Sequence, residues 1–134
     1  MTKELWINLP VKNLAKSKQF FTKLGFLFNL QHSEYGFAVG NKKIIVMLFE
    51  EPAFKHFTRH EVSDTTKGSE VLFSIDAESR QEVDEMTNKA RNAGGVVFAE
   101  PGENQGWIYG SGFADLDGHR WNLLYMDMSK MPKL

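Results

Sequence analysis

One order of elements occurs twice in this chain, and within 134 residues that repetition leaves little room for any other architecture. From Leu5 to Val11 apolar residues alternate with Trp6, Asn8 and Pro10, which predicts a strand. Asn13 stands where a helix cap is wanted, Leu14, Phe20, Phe21 and Leu24 share one flank, and Gly25 suits a left-handed terminator, so a helix is expected from Leu14 to Leu24. Strands Phe26 to Gln31, Tyr35 to Val39 and Lys43 to Phe49 follow, separated by His32-Ser33-Glu34 and by the turn Gly40-Asn41. The second half restarts with a strand from Glu70 to Asp76, then Ser79 and Glu82 in a capping box and a stripe of Val83, Met86, Ala90 and Ala93 closed by Gly94-Gly95. Val96 to Ala99, a loop from Pro101 to Gly106, Trp107 to Ala114, the turn Asp117-Gly118 and Arg120 to Met126 complete it. The expectation is one α+β domain of two β-α-β-β-β modules: module one 1–50, a linker 51–69 holding a short helix, and module two 70–134.

Strand parity separates the two faces of each predicted sheet, because residues two apart share a side. Leu5, Ile7 and Leu9, Ile44, Val46 and Leu48, Val71, Phe73 and Ile75, and Trp121, Leu123 and Tyr125 are all apolar and are expected beneath the helices. The opposite face would present Trp6, Asn8, Ile45, Met47, Phe49, Glu70, Leu72, Arg120, Asn122 and Leu124. Apolar lining with a few polar groups is the composition of a small-molecule cavity. A half-wet antiparallel face ordinarily carries more Thr, Lys and Glu.

Composition narrows the partners. Sixteen Lys and Arg against 17 Asp and Glu leave a net charge of -1, which offers no basic field for nucleic acid. With no Cys there is no disulfide, thiolate nucleophile or Cys-ligated zinc. Ile44 to Phe49 is too short an apolar run to span a bilayer, so no membrane partner is expected. Met1-Thr2-Lys3-Glu4 does not begin a signal peptide, and a cytoplasmic location is the expectation.

Other constellations carry less. His56 and His60 are four apart in a helix predicted over Phe54 to Glu61, but Phe57 stands where a zincin needs Glu, and a solvated helix face is the simpler reading. His119 reads as a turn residue, and His32 has no companion nearby. Gly102, Gly106, Gly110 and Gly112 do not form a dinucleotide fingerprint, and a bend or bulge around Gly110-Ser111-Gly112 accounts for them. The tail after Asp127, with Met128 and Met131, is expected to fray or to cap a partner.

The doubled module, the segment Ile7-Asn8-Leu9-Pro10-Val11-Lys12-Asn13-Leu14 and the late Asp115-Leu116-Asp117-Gly118-His119 resemble the glyoxalase/bleomycin resistance/extradiol dioxygenase group, the vicinal oxygen chelate superfamily. Within it the chain is most similar to predicted lactoylglutathione lyases of bacteria. The resemblance implies sheets curled around a cup-shaped cavity with helices outside, a homodimer, and a divalent metal on the first and last strands of each module. Those metal positions fall on Trp6, Met47, Glu70 and Asn122, of which one is a carboxylate. Trp does not ligate a divalent ion, a thioether favours soft Cu(I), and Asn offers one neutral carbonyl, so no cofactor is expected. Asn122 also lacks the pKa needed to shuttle a substrate proton. Glu70 keeps the most chemistry in reach and is the candidate catalytic residue, with Arg120 or Asn122 as its partner if family strand order holds. A structural ion pair is the alternative for it. The resulting expectation is a protein binding a small organic molecule through Trp6, Asn8, Met47, Phe49, Leu72, Arg120 and Asn122. The alternative is a metal-dependent lyase or isomerase of lactoylglutathione lyase type with Glu70 and Asn122 on the ion. A dimeric scaffold without a ligand is the third class.

Overall fold

The computed structural model describes residues 1–28, 35–40 and 44–132, which fall into two compact units, Met1–Lys67 and Gly68–Leu134. The described residues form three α-helices and two open mixed sheets of three and four strands, an α+β fold.

The first unit contains β1 (Leu5–Val11), α1 (Leu14–Leu24), β2 (Gly36–Val39), β3 (Ile44–Glu50) and α2 (Glu51–Thr58). Its sheet order is β1-β3-β2, with β1 parallel to β3 and β2 antiparallel. Asn13 caps α1 by accepting the Lys16 N–H at 3.0 Å, and Gly25 ends it at φ 109°. The Phe21 ring lies 4.9 Å from that of Phe37, which pairs with Val46, itself opposite Ile7. Helix α1 therefore covers the face that alternation marked as apolar. An 11-residue helix is about 16 Å long whereas a seven-residue strand spans about 23 Å, so α1, running back from Val11, falls short of the far end. Leu5 and Ile44, paired there, are exposed.

The structure changes two readings in this unit. Of the strand expected over Phe26 to Gln31, Phe28 makes an isolated bridge to Phe37; His32-Ser33-Glu34 and Lys43 lie outside the described residues. Helix α2 starts earlier than Phe54, because Pro52 sits in its first turn, and it closes at Arg59 with φ 60°. His60 is thus beyond the helix, and the four-residue spacing from His56 no longer places both rings on one helical face.

The second unit contains β4 (Leu72–Asp76), α3 (Arg80–Asn92), β5 (Val96–Asn104), β6 (Ile108–Ala114), β7 (Arg120–Met126) and a 3-10 turn at Met128–Lys130. Its sheet order is β4-β7-β6-β5, and β4 runs parallel to β7. Ser79 caps α3 by accepting the Glu82 N–H at 3.0 Å, while the Glu82 carboxylate reaches back to the Glu78 N–H at 3.3 Å. Val83 packs with Ala77 and Leu123, flanked by Ile75, Met86, Tyr109 and Tyr125. The Thr87 hydroxyl donates to the Val83 carbonyl at 2.6 Å, so the proton shared with Ser111, also 2.6 Å away, must come from Ser111. That buried pair fixes α3 on β6.

Two boundaries differ from expectation. The strand predicted from Glu70 begins at Leu72, and the loop predicted from Pro101 to Gly106 is mostly strand, β5 continuing to Asn104 before Gln105 and Gly106 turn at φ 60° and 79°. Strand β5 is the edge of its sheet, where a proline can face away from the ladder and forfeit no pairing bond. The tail, expected to fray or to cap a partner, opens on a turn capped by Asp127, whose Oδ1 accepts from the Ser129 N–H at 3.1 Å and hydroxyl at 2.6 Å.

The Asp115-to-His119 turn is held by a buried carboxylate. Asp115 Oδ1 accepts the N–H groups of Asp117 and His119 at 3.0 Å each, and Oδ2 accepts the Trp121 indole N–H at 3.1 Å. Burial pushes the Asp115 carboxyl above its usual 3.8, with His119 and the three donors pulling the other way. Between those two values the folded chain binds more protons than the unfolded one, so the stability this group contributes falls as pH rises through the window and is level above it. An Asn at this position has one acceptor oxygen for three donors and would turn an N–H toward Trp121. Asp115→Asn is expected to destabilise by about 1–3 kcal/mol, and the margin of wild type over the variant should be largest at the acid end and shrink as pH rises. Urea denaturation of both proteins between about pH 3 and pH 7 measures it; a margin that grows with pH would contradict the assignment.

Candidate functional site

In the second unit the parallel pairing of β4 with β7 sets Leu72 beside Arg120 and Ser74 beside Asn122, and the antiparallel pairing of β7 with β6 sets Asn122 opposite Gly112 and Leu124 opposite Gly110. These residues share the face opposite to α3. Arg120, Asn122 and Leu124 are half-buried there, and Leu72 is 51% exposed.

Glycine is required at two of these positions by what lies over them. A Cβ on Gly112 would meet the Phe98 ring at 2.5 Å, and one on Gly110 would meet a Leu124 methyl at 2.7 Å. Val97 pairs with Phe113 on the face beneath α3, so alternation sets Phe98 on the opposite face, and the register shift that follows places Ala99 rather than Phe98 opposite Gly112. The bend or bulge expected around Gly110-Ser111-Gly112 is an irregularity of the β5–β6 pairing opposite those residues, while β6 pairs with β7 without interruption through them. The Arg120 guanidinium lies over the Phe98 ring, 4.5 Å from its centroid. Phe98 is the site residue that sequence reasoning missed. Two signals could have found it: alternation along Val96 to Ala99 sets Phe98 opposite to Val97, and two glycines alternating on β6 free the space that an aromatic neighbour fills.

Glu70 lies two residues before β4, is exposed, and makes no ion pair with Arg120 among the described residues. Of the two partners expected for Glu70, Arg120 or Asn122, Arg120 lies over Phe98.

In the first unit the face away from α1 carries Trp6, Asn8, Met47 and Phe49, with Asn8 directly beside Met47. Trp6 is 55% exposed and donates its indole N–H to Glu4 at 3.0 Å. Asn8 is exposed and Met47 half-buried. Phe49 is half-buried between the Tyr35 ring, stacked at 6.0 Å, and the Phe57 ring of α2, edge-on at 5.1 Å. Phe49 thus serves the seating of α2.

A recess of about 700 Å³ lies along α2, lined by Pro52, Lys55, His56, Arg59, His60 and Glu61, all of them exposed. Basic groups here complement the carbonyl end of the helix, and Lys55 is paired with Glu61 at 2.7 Å. Apart from Pro52 the side chains that line the recess are charged or polar, which separates it from the surface expected for an organic molecule.

The residues that the resemblance assigns to a divalent metal do not fit one. Trp6 engages Glu4, Glu70 stands outside its strand, and among the described residues no three His, Asp or Glu side chains gather as ligands.

The packing of Phe98 on Gly112 is directly testable. Gly112→Ala is expected to cost about 1–3 kcal/mol by driving the added methyl into the ring, and the cost should largely disappear in a Phe98→Ala background. A double-mutant cycle by chemical denaturation reads the coupling, and additive losses would show that the ring is not seated on the glycine.

Comparison with known proteins agrees with this architecture. The family model described as the Glyoxalase/Bleomycin resistance protein/Dioxygenase superfamily matches residues 5–123. A hypothetical protein from S. aureus is 36% identical, with 93% of this chain and 95% of that one covered and a TM-score of 0.81. A glyoxalase/bleomycin resistance protein/dioxygenase family enzyme from Burkholderia phytofirmans PsJN shares the fold at 16% identity, covering 91% and 97% with a TM-score of 0.74. A glyoxalase-related enzyme from Fulvimarina pelagi does so at 15%, covering 93% and 88% with a TM-score of 0.75. None of the curated proteins matches the chain. With the family match spanning almost the whole sequence, the chain belongs to the glyoxalase/bleomycin resistance protein/dioxygenase superfamily.

Proposed function

We propose that this protein binds a small organic molecule without a tightly held metal, on the sheet faces turned away from α1 and α3, and that it works as a cytoplasmic homodimer. The observation that carries the reading is the face of the second unit. Leu72, Phe98 and Leu124 supply apolar surface around Arg120 and Asn122, which is the mixture that gives a small ligand affinity and orientation. The donor set argues in the same direction, because a Trp, a thioether and an amide give a hard cation almost no charge to bind. Support for a second copy comes from β1 and β4, each an edge strand with exposed apolar residues, Leu5 and Trp6 on one and Leu72 on the other. Glu70 stands two residues before Leu72, and its participation belongs to the lyase alternative.

Elemental analysis of the purified protein is expected to find well under one equivalent of Ni, Zn, Co, Mn or Fe. Fluorescence titration with a panel of aromatic acids, quinones and neutral aromatics should find saturable binding that weakens in Asn122→Ala, and sedimentation should find a dimer. A stoichiometric metal that survives chelation, together with turnover of the methylglyoxal–glutathione hemithioacetal abolished by Glu70→Gln, would replace this reading with the metal-dependent lyase. Saturable binding by no member of the panel would leave the scaffold class.

A further inference from the structure

We propose that Arg120, held against Phe98, anchors the anionic group of a flat organic acid, with the apolar body of that acid lying against Phe98 and Leu124. The inference rests on the small-molecule reading above and names the ligand class for the second unit.

Three observations lead to it. The Arg120 guanidinium lies over the Phe98 ring, a contact that takes up none of its N–H donors, and those donors form a fork that fits the two oxygens of a carboxylate. Both of the neighbouring arginines of α3 and the lysine of α2 are paired, Arg80 with Glu103, Arg91 with Glu100 and Lys55 with Glu61. Among the described residues no carboxylate pairs with Arg120. The neighbouring positions Leu72, Ser74, Gly112 and Asn122 are neutral, and Glu70, two residues before Leu72, makes no ion pair with Arg120 among the described residues. Asp76 is two pairs further along β4 than Ser74's neighbour Leu72, about 13 Å from the Arg120 row at strand spacing. Finally, the backbone is shaped to place the ring. Alternation along β5 sets Phe98 on the face of Arg120 and the glycine at 112 leaves room for its ring under the guanidinium, so the cation is oriented before any ligand arrives. Half-burial of Arg120 and Asn122 strengthens a charged contact relative to one in open solvent.

The test titrates 1-naphthoate and its neutral counterpart 1-naphthamide into the full chain, following the Arg120 Nε–H and Gly112 N–H cross-peaks by NMR. The naphthoate should saturate and move both peaks, and the amide should bind at least about tenfold more weakly. Arg120→Gln should erase that preference, Arg120→Lys should keep part of it, and Phe98→Leu should weaken naphthoate binding with Arg120 intact. The backbone spectrum of each variant shows whether it is folded. Equal affinity for the two probes, or a preference untouched by Arg120→Gln, overturns the inference and leaves the small-molecule reading standing. Shifts confined to Lys55, Arg59 and His60 would place the anion in the α2 recess and overturn it as well. If neither probe binds, the inference falls, while the panel titration decides the broader reading on its own.

Discussion

Each sheet is organised by one parallel pair, β1 with β3 and β4 with β7. A tight turn cannot join parallel neighbours, so the chain must leave the sheet, cross over and return, and the crossover carries a helix. In both units that helix covers one face: α1 lies over Phe37 and α3 over Leu123. The opposite faces are consequently left for other uses. The same pairing brings residues far apart in sequence, such as Leu72 and Arg120, into a single row.

Helices and faces were the most legible part of the sequence, because their signals are local and periodic. Asn13 and Gly25 bound α1 where expected, Ser79 opens α3, and the residues assigned beneath the helices by alternation include Val46, Leu48, Trp121 and Leu123, all buried. What escaped was non-local. The register shift beside Phe98 and the glycine fourteen positions later that leaves room for its ring belong to the pairing of two strands, which periodicity does not encode. The extension of β5 past Pro101 depends on its being an edge, a property that exists only once the sheet is assembled. Glu70 was read into β4 from an alternation that continues two residues beyond the hydrogen-bonded ladder.

The acidic turn that most suggested the superfamily is architectural in this chain. Asp115 spends its acceptors on two backbone amides and the Trp121 indole, and Trp121 in turn packs on Phe73 at 4.9 Å and Phe113 at 6.4 Å. A motif can thus identify ancestry through the part of the fold that positions β7 without touching a ligand. The residues that would read a ligand, Arg120 and Asn122, follow immediately on the strand that this turn launches.

Strand β5 has one further effect, on how the second sheet can grow. Its outer edge contains Pro101, lacks a regular ladder around Ala99, and carries Glu100 and Glu103, which are engaged by Arg91 and Arg80 of α3. A missing donor, a broken repeat and anchored charges all discourage another strand from docking alongside. Recruitment of foreign β-structure is therefore directional: this sheet resists templated extension on the β5 side and leaves β4 as the side where an added strand would find a regular partner.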